Sequence, residues 1–249
     1  KKRKRSNMGK INDISSWTDY YTKLEKADFR LFCIPFAGGG ASKYAPWKRL
    51  VPEGVELVPI QLPGREKRVR EHLADDCCEL ADRIAEAVSV ISSDGLPFSV
   101  FGHSMGGILA YEVVKRLEKT EYSPEKCYIS STDPKGISGV SGINELSDEK
   151  LVEAVSDYGA AADLEILKQF PGHFDMFMGF IRADLAMLEG YKPDIGNKIK
   201  TPIRALYSTG DKMINEDKMR IWRTMTSSDF KLYPFPGDHF YLFEDSKSV

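Results

Sequence analysis

At 249 residues, 42% of them hydrophobic, the chain is long enough to bury a substantial core as one large α/β domain or two small ones. Its formal net charge of −2 hides an asymmetry: five of the 35 basic residues are Lys1, Lys2, Arg3, Lys4 and Arg5, so the rest of the chain is net acidic. That balance gives no support to nucleic-acid binding by the folded body, and no apolar stretch approaches the length of a membrane span.

Without a Gly/Ser-rich or Pro-rich linker or an internal repeat, residues 11–249 read as a single domain. Residues 1–10 read as a disordered basic leader ahead of Met8 in preference to a nuclear-localisation patch, and no signal-peptide apolar region follows them. The four cysteines, Cys33, Cys77, Cys78 and Cys127, lack metal-type spacing. Cys33 and Cys127 fall in apolar runs and read as small buried residues; a reducing cytoplasm is the expected location.

In chain order, Phe29 to Phe36 reads as a strand running into the glycine loop Ala37-Gly38-Gly39-Gly40. Val55 to Leu62 is a second strand, ended by Pro63-Gly64. Leu73 to Ile91 carries helical apolar spacing through Leu80, Ile84, Ala87 and Val88. Phe98 to Phe101 is a strand, followed by a helix from Met105 to Glu118. Further strands are expected at Cys127 to Ser131, Ile203 to Ser208 and Phe230 to Tyr233. Strands alternating with helices predict a mostly parallel sheet covered by helices on both faces. Between Ser131 and Ile203 the alternation stops, and helices are expected at Ser147 to Tyr158, Asp163 to Gln169 and Met176 to Leu188. We read residues 134–198 as an inserted helical lid, because ligands of parallel sheets bind at the carboxyl ends of the strands.

The chemistry-bearing motif is Gly102-His103-Ser104-Met105-Gly106. A G-x-S-x-G pentapeptide between strand and helix is the nucleophile elbow of the α/β-hydrolase fold, in which a strained turn exposes the serine hydroxyl. Of the four histidines, His72 reads as solvent-exposed, His103 as structural, and His173 as a lid residue beside Pro171-Gly172. His239, after the turn Pro236-Gly237-Asp238 near the chain end, matches the order Ser…Asp/Glu…His and is the expected base. For the acid, Asp211 after the strand Ile203 to Ser208 is preferred. Asp133 is a rival, otherwise a turn residue before Pro134. The expected oxyanion donors are the N–H groups of Met105 and of Ala37 in the glycine loop. That loop lacks the spacing of a phosphate loop.

With these residues placed, the chain resembles the type II thioesterases, the discrete α/β-hydrolases that accompany nonribosomal peptide and polyketide synthases. The resemblance rests on Pro35-Phe36-Ala37-Gly38-Gly39, Leu62-Pro63-Gly64-Arg65-Glu66, Gly102 to Gly107, Leu146-Ser147-Asp148-Glu149, Arg182-Ala183-Asp184 and Phe235 to Phe240. It implies Ser104 as nucleophile, Asp211 as acid and His239 as base. The implied reaction is hydrolysis of acyl thioesters from the phosphopantetheine arm of acyl or peptidyl carrier protein domains, with no metal or cofactor, by a monomer. Arg182 and Asp184 read as residues of a helix-surface or interhelix ion pair shaping the lid, and Arg65 as a brace for the loop after its strand. Phe170-Pro171-Gly172-His173-Phe174 departs from the family pattern, leaving acyl preference open. A medium-chain fatty acyl thioesterase using the same residues and an inactive hydrolase-fold binding module are the alternatives.

Overall fold

The computed structural model describes residues 13–136, 142, 146–156, 168–244 and 246–247. The expected leader 1–10 and most of the helix expected at Asp163 to Gln169 lie outside them. Six strands, β1 (Phe29–Ile34), β2 (Val55–Pro59), β3 (Phe98–His103), β4 (Cys127–Ser130), β5 (Ile203–Ser208) and β6 (Phe230–Phe235), form one sheet in the order β2-β1-β3-β4-β5-β6. Every neighbouring pair is parallel. A sheet of this kind must be covered on both faces, which is why its strands are short, nearly unbroken apolar runs.

Successive side chains divide between the two faces. Phe32, Ile34, Val58, Val100, Ile129 and Ala205 point into the larger core, against helices α1 (Cys77–Ile91) and α2 (Met105–Leu117). Cys33, Leu57, Phe101 and Leu206 point to the opposite face, where the 3-10 segment Ala41–Arg49 and the short helix at Tyr241–Glu244 supply Tyr44, Tyr241 and Leu242. That cover is thinner, leaving an apolar pocket of about 320 Å³ lined by Leu31, Trp47, Val55, Tyr128 and Leu206 among others.

Helix α1 starts at Cys77, four residues later than the apolar spacing from Leu73 predicts, because the Asp76 side chain accepts the Glu79 N–H at 2.9 Å and caps it there. Between β4 and β5 the chain makes a helical excursion with α3 (Asp148–Val155) and α4 (Pro171–Glu189). Ser147 caps α3 through the Lys150 N–H at 3.4 Å. Helix α4 starts at Pro171, ahead of the expected Met176, since proline suits the first helical turn. Leu151, Val155, Met178 and Ile181 form a small core of their own between α3 and α4.

Because all strands run the same way, their carboxyl ends share one edge. Strand order reverses at β1, whose neighbours are β2 and β3, so the loops after β1 and β3 open side by side. The glycine loop, Ser104, Asp133, Asp211 and His239 all follow strands that end on this edge.

Candidate active site

Ser104 links β3 to α2 with φ 53° and ψ −121°, a conformation strained for any residue with a β-carbon. The fold around it over-determines that strain. A β-carbon on Gly102 would lie 1.9 Å from the Gly106 carbonyl oxygen, and one on Gly106 would lie 2.2 Å from the Ile34 oxygen. Only glycine therefore lets the start of α2 press against β1 and β3. The Ser104 N–H donates to the Ser130 carbonyl at 2.8 Å, and the Ser104 carbonyl accepts from the Gly107 N–H at 2.9 Å. The Ser104 side chain makes no capping bond to α2. Met105 opens that helix, where an N–H has no partner within the helix and the helix dipole favours negative charge.

Asp211 and His239, 28 positions apart, are brought together: Asp211 Oδ2 lies 2.7 Å from His239 Nδ1, with side chains 1% and 5% exposed. Their loops are fastened to each other. Ser208 Oγ donates to the Gly237 carbonyl, the Thr209 N–H donates to the Phe235 carbonyl at 2.9 Å, and a β-carbon on Gly210 would lie 2.4 Å from the Gly237 oxygen. Asp211 Oδ1 accepts the N–H groups of Met213 at 2.8 Å and Ile214 at 3.1 Å. Burial pushes the Asp211 carboxyl up, but the bonds from His239 and from these two N–H groups outweigh it and hold the carboxyl below its usual range. A carboxylate only accepts, so Nδ1 of neutral His239 carries the proton and Nε2 keeps its lone pair.

The His239 ring lies 5.0 Å, centroid to centroid, from the ring of His103, the residue preceding Ser104. His103 is fully buried. Its Nδ1 lies 2.9 Å from Ser130 Oγ, which lies 2.9 Å from the Tyr241 hydroxyl. Burial, reinforced by neighbouring His239, pushes the His103 imidazole well below its ordinary value. Phe36, Phe240 and Phe243 surround these two histidines edge-on or tilted, with centroids 5.3–5.9 Å away.

In the loop after β1, the Gly39 N–H donates to the Phe36 carbonyl at 2.9 Å, and Gly38 takes φ 77°. The Phe36 carbonyl and the Ala37 N–H belong to one peptide plane and point oppositely, so this turn aims the Ala37 N–H outward. Two buried side chains grip the loop. Asp184 Oδ2 accepts the Gly38 N–H at 2.8 Å, and Arg65 Nη1 donates to the Gly39 carbonyl at 3.1 Å.

The other sequence candidates separate cleanly. Asp133 is buried but spends Oδ1 on the Lys135 N–H at 2.7 Å, the turn reading, while His239 pairs with Asp211. His72 and His173 are exposed, and His173 meets the Phe170 ring edge-on at 6.1 Å. Arg182 and Asp184 do not pair with each other: Arg182 bonds Asp148 at 2.6 Å and the Leu146 carbonyl at 3.0 Å, and Asp184 pairs with Arg65. Residues two apart on a helix point to different sides, so each reaches a different partner, and the interhelix ion pair expected of Arg182 forms with Asp148 on α3. The Arg65–Asp184 contact escapes sequence reasoning. Its one signal is a carboxylate on the α4 stripe that otherwise buries Met178, Ile181 and Leu188.

The family model described as thioesterase domain matches residues 29–249. The gramicidin S biosynthesis protein GrsT of Aneurinibacillus migulanus is 28% identical over 236 residues, covering 94% of this chain and 91% of that protein. The medium-chain S-acyl fatty acid synthase thioesterase of Homo sapiens is 31% identical over 233 residues, covering 89% of this chain and 84% of that protein. Among solved structures, the type II thioesterase BorB from the borrelidin biosynthetic cluster superposes with a TM-score of 0.78 at 30% identity, covering 95% of this chain and 94% of that one. Matched by that model from its first strand onward, with a six-stranded parallel sheet like that of its α/β-hydrolase neighbours, the chain belongs to the thioesterase domain family.

Proposed function

We propose that the protein hydrolyses acyl thioesters carried on the phosphopantetheine arm of carrier protein domains, clearing wrongly primed or stalled acyl groups from a synthase. The observation that carries this reading is the buried His239–Asp211 pair beside the strained elbow of Ser104. Relatives that include a gramicidin S biosynthesis protein and a borrelidin-cluster type II thioesterase support the editing role.

Ser104 Oγ attacks the thioester carbonyl carbon as its proton passes to His239 Nε2. Asp211 holds the ring in the tautomer that can accept this proton and offsets the charge of the imidazolium. The oxygen that becomes negative sits between the N–H groups of Ala37 and Met105, the latter at the positive end of α2. Collapse of the tetrahedral intermediate breaks the C–S bond, and the pantetheine sulfur leaves with the proton from His239. A water then gives its proton to His239 and attacks the acyl-serine, releasing the acid and restoring Ser104. The excursion carrying α3 and α4 acts as the lid over this edge. Among the described residues no helix is long and apolar enough to cross a membrane, and we place the reaction in the cytoplasm with the carrier as the only macromolecular partner of a monomer.

The medium-chain fatty acyl reading is favoured by one observation, the 31% identity to the human enzyme. Carrier protein loaded with acetyl or with decanoyl, incubated with the parent and with Ser104→Ala and followed by intact mass, tests both. Loss of acetyl with the parent alone is expected for editing. Loss of decanoyl alone moves the assignment to chain release, and a Ser104→Ala variant as fast as the parent overturns the mechanism.

A further inference from the structure

Three segments far apart in sequence meet at the glycine loop: Phe36 to Gly40 with the 3-10 segment that follows it from Ala41, the turn Gly64 to Glu66 after β2, and lid helix α4. The Arg65 guanidinium is bidentate to Asp184, with Nη1–Oδ2 at 2.6 Å and Nη2–Oδ1 at 2.7 Å. Both side chains are buried, 3% and 2% exposed. A lone charge could not remain there, and the fork-on-fork geometry compensates both. Each partner keeps one bond for the loop: Asp184 Oδ2 takes the Gly38 N–H and Arg65 Nη1 the Gly39 carbonyl. Next to Arg65, Glu66 Oε1 accepts from Ser42 Oγ at 2.5 Å, and it fills the space where a β-carbon on Gly40 would stand. On the lid side, Ile181 Cδ1 would lie 2.6 Å from a β-carbon on Gly38, so α4 itself closes on the turn.

We propose that Arg65 and Asp184 are a positioning pair through which lid helix α4 holds the glycine loop in the shape its oxyanion donor requires. Asp184 sets the peptide between Ala37 and Gly38, and Arg65 the peptide after Gly39. Both lie in the turn that directly follows the Phe36–Ala37 peptide, whose N–H faces the reacting oxygen. Neither side chain touches substrate. Displacing α4 therefore removes the Asp184 anchor and leaves Arg65 without the carboxylate that orients it, and lid position and transition-state stabilisation become one variable. This rests on the reading that the Ala37 N–H serves the oxyanion.

The double variants Arg65→Met/Asp184→Leu and Arg65→Met/Asp184→Asn test it. The first replaces the pair with apolar side chains of similar length. The second restores an acceptor for the Gly38 N–H. Substrate is a short acyl thioester of N-acetylcysteamine, too small to need the carrier. With circular dichroism showing both folded, kcat of the Leu form falls roughly 10–100-fold with KM little changed, as for a misplaced catalytic donor. The Asn form recovers part of the loss. Both variants folded, less stable, and turning over at the parent kcat would overturn the proposal, since only a structural role predicts that. If the Leu form does not fold, Arg65→Lys keeps a charge for Asp184 but loses the fork. A fall in kcat at constant KM is then expected, and parent kcat would again overturn the proposal. Phosphorylation of Ser104 by paraoxon, read by intact mass, uses the same loop without a thioester. A parent inert to thioesters yet labelled faster than its variants defeats the proposed function alone and upholds the pair.

Discussion

At the scale of single residues, the site depends on which groups can hold charge. Asp211 is held ionised by three hydrogen bonds, and its one role towards His239 is to accept from Nδ1. Asp211→Asn is nearly isosteric but can present an N–H instead, which turns the imidazole to the wrong tautomer. Expected is a fall in kcat of roughly 10³–10⁴-fold with little change in KM, measured by steady-state hydrolysis of a short acyl thioester. A fall below tenfold would remove Asp211 from the mechanism. His103, by contrast, is kept neutral by burial, so in the proposed mechanism no second cation opposes an imidazolium on His239. In a ¹H–¹³C titration of the histidine rings from pH 8 to pH 5, the His103 resonances should stay flat. A His103 midpoint above pH 6 would contradict its burial.

At the scale of elements, two junctions bear most of the organisation. At the elbow, the β-carbon introduced by Gly102→Ala would meet backbone, which has no means of moving aside. We expect that variant to be insoluble or to lose the register of α2 on β3, seen as a lost cooperative thermal transition; a parent-like melt would show that the strand end can relax. At the sheet's far side, Arg30 on β1 is buried and bonds Glu56 on β2 at 2.8 Å and Asp94 after α1 at 2.9 Å. Hydrogen bonds from Arg30 lower the Asp94 carboxyl to about 2. Its pKa is lower folded than unfolded, so its contribution to stability is complete above about pH 4 and drains away as pH falls towards 2. Urea midpoints of the parent and Asp94→Asn should therefore differ at pH 6 by a gap that narrows below about pH 4 and closes only as pH falls through about 2. A gap constant with pH would contradict this. Removing Glu56 instead, by Glu56→Ala, leaves buried Arg30 short of a partner and should cost roughly 3 kcal/mol in chemical denaturation at neutral pH.

Strand runs, the elbow and the order of serine, acid and histidine are legible in the sequence because each is written locally. An apolar run ends in Gly, Pro or Asp, and the catalytic side chain follows within a few positions. Asp211 over Asp133 is legible for the same reason, with the pairing to His239 supplying the final choice. Helix limits are less so. Leu73 shares the apolar spacing of α1, yet the Asp76 cap overrides it, and Pro171 reads as a breaker while serving as the first residue of α4. The Arg65–Asp184 pair, 119 positions apart, leaves no periodic trace, since its geometry exists only once α4 lies over the loops after β1 and β2.

For the molecule as a whole, a parallel sheet delivers loop-borne groups to one edge, and a helical excursion folds back onto them. The chain thereby combines the strained Ser104 elbow between β3 and α2 with a glycine loop fastened to helix α4. The central claim is that carrier-bound acyl groups pass through a covalent bond to Ser104. Rapid quenching of the parent with acyl-loaded carrier protein, then proteolysis and mass mapping, measures this directly. Expected is a burst of acyl label, up to one per enzyme, on the peptide containing Ser104 and at that residue. Hydrolysis with no label on Ser104, or with the acyl group on another side chain, would contradict it.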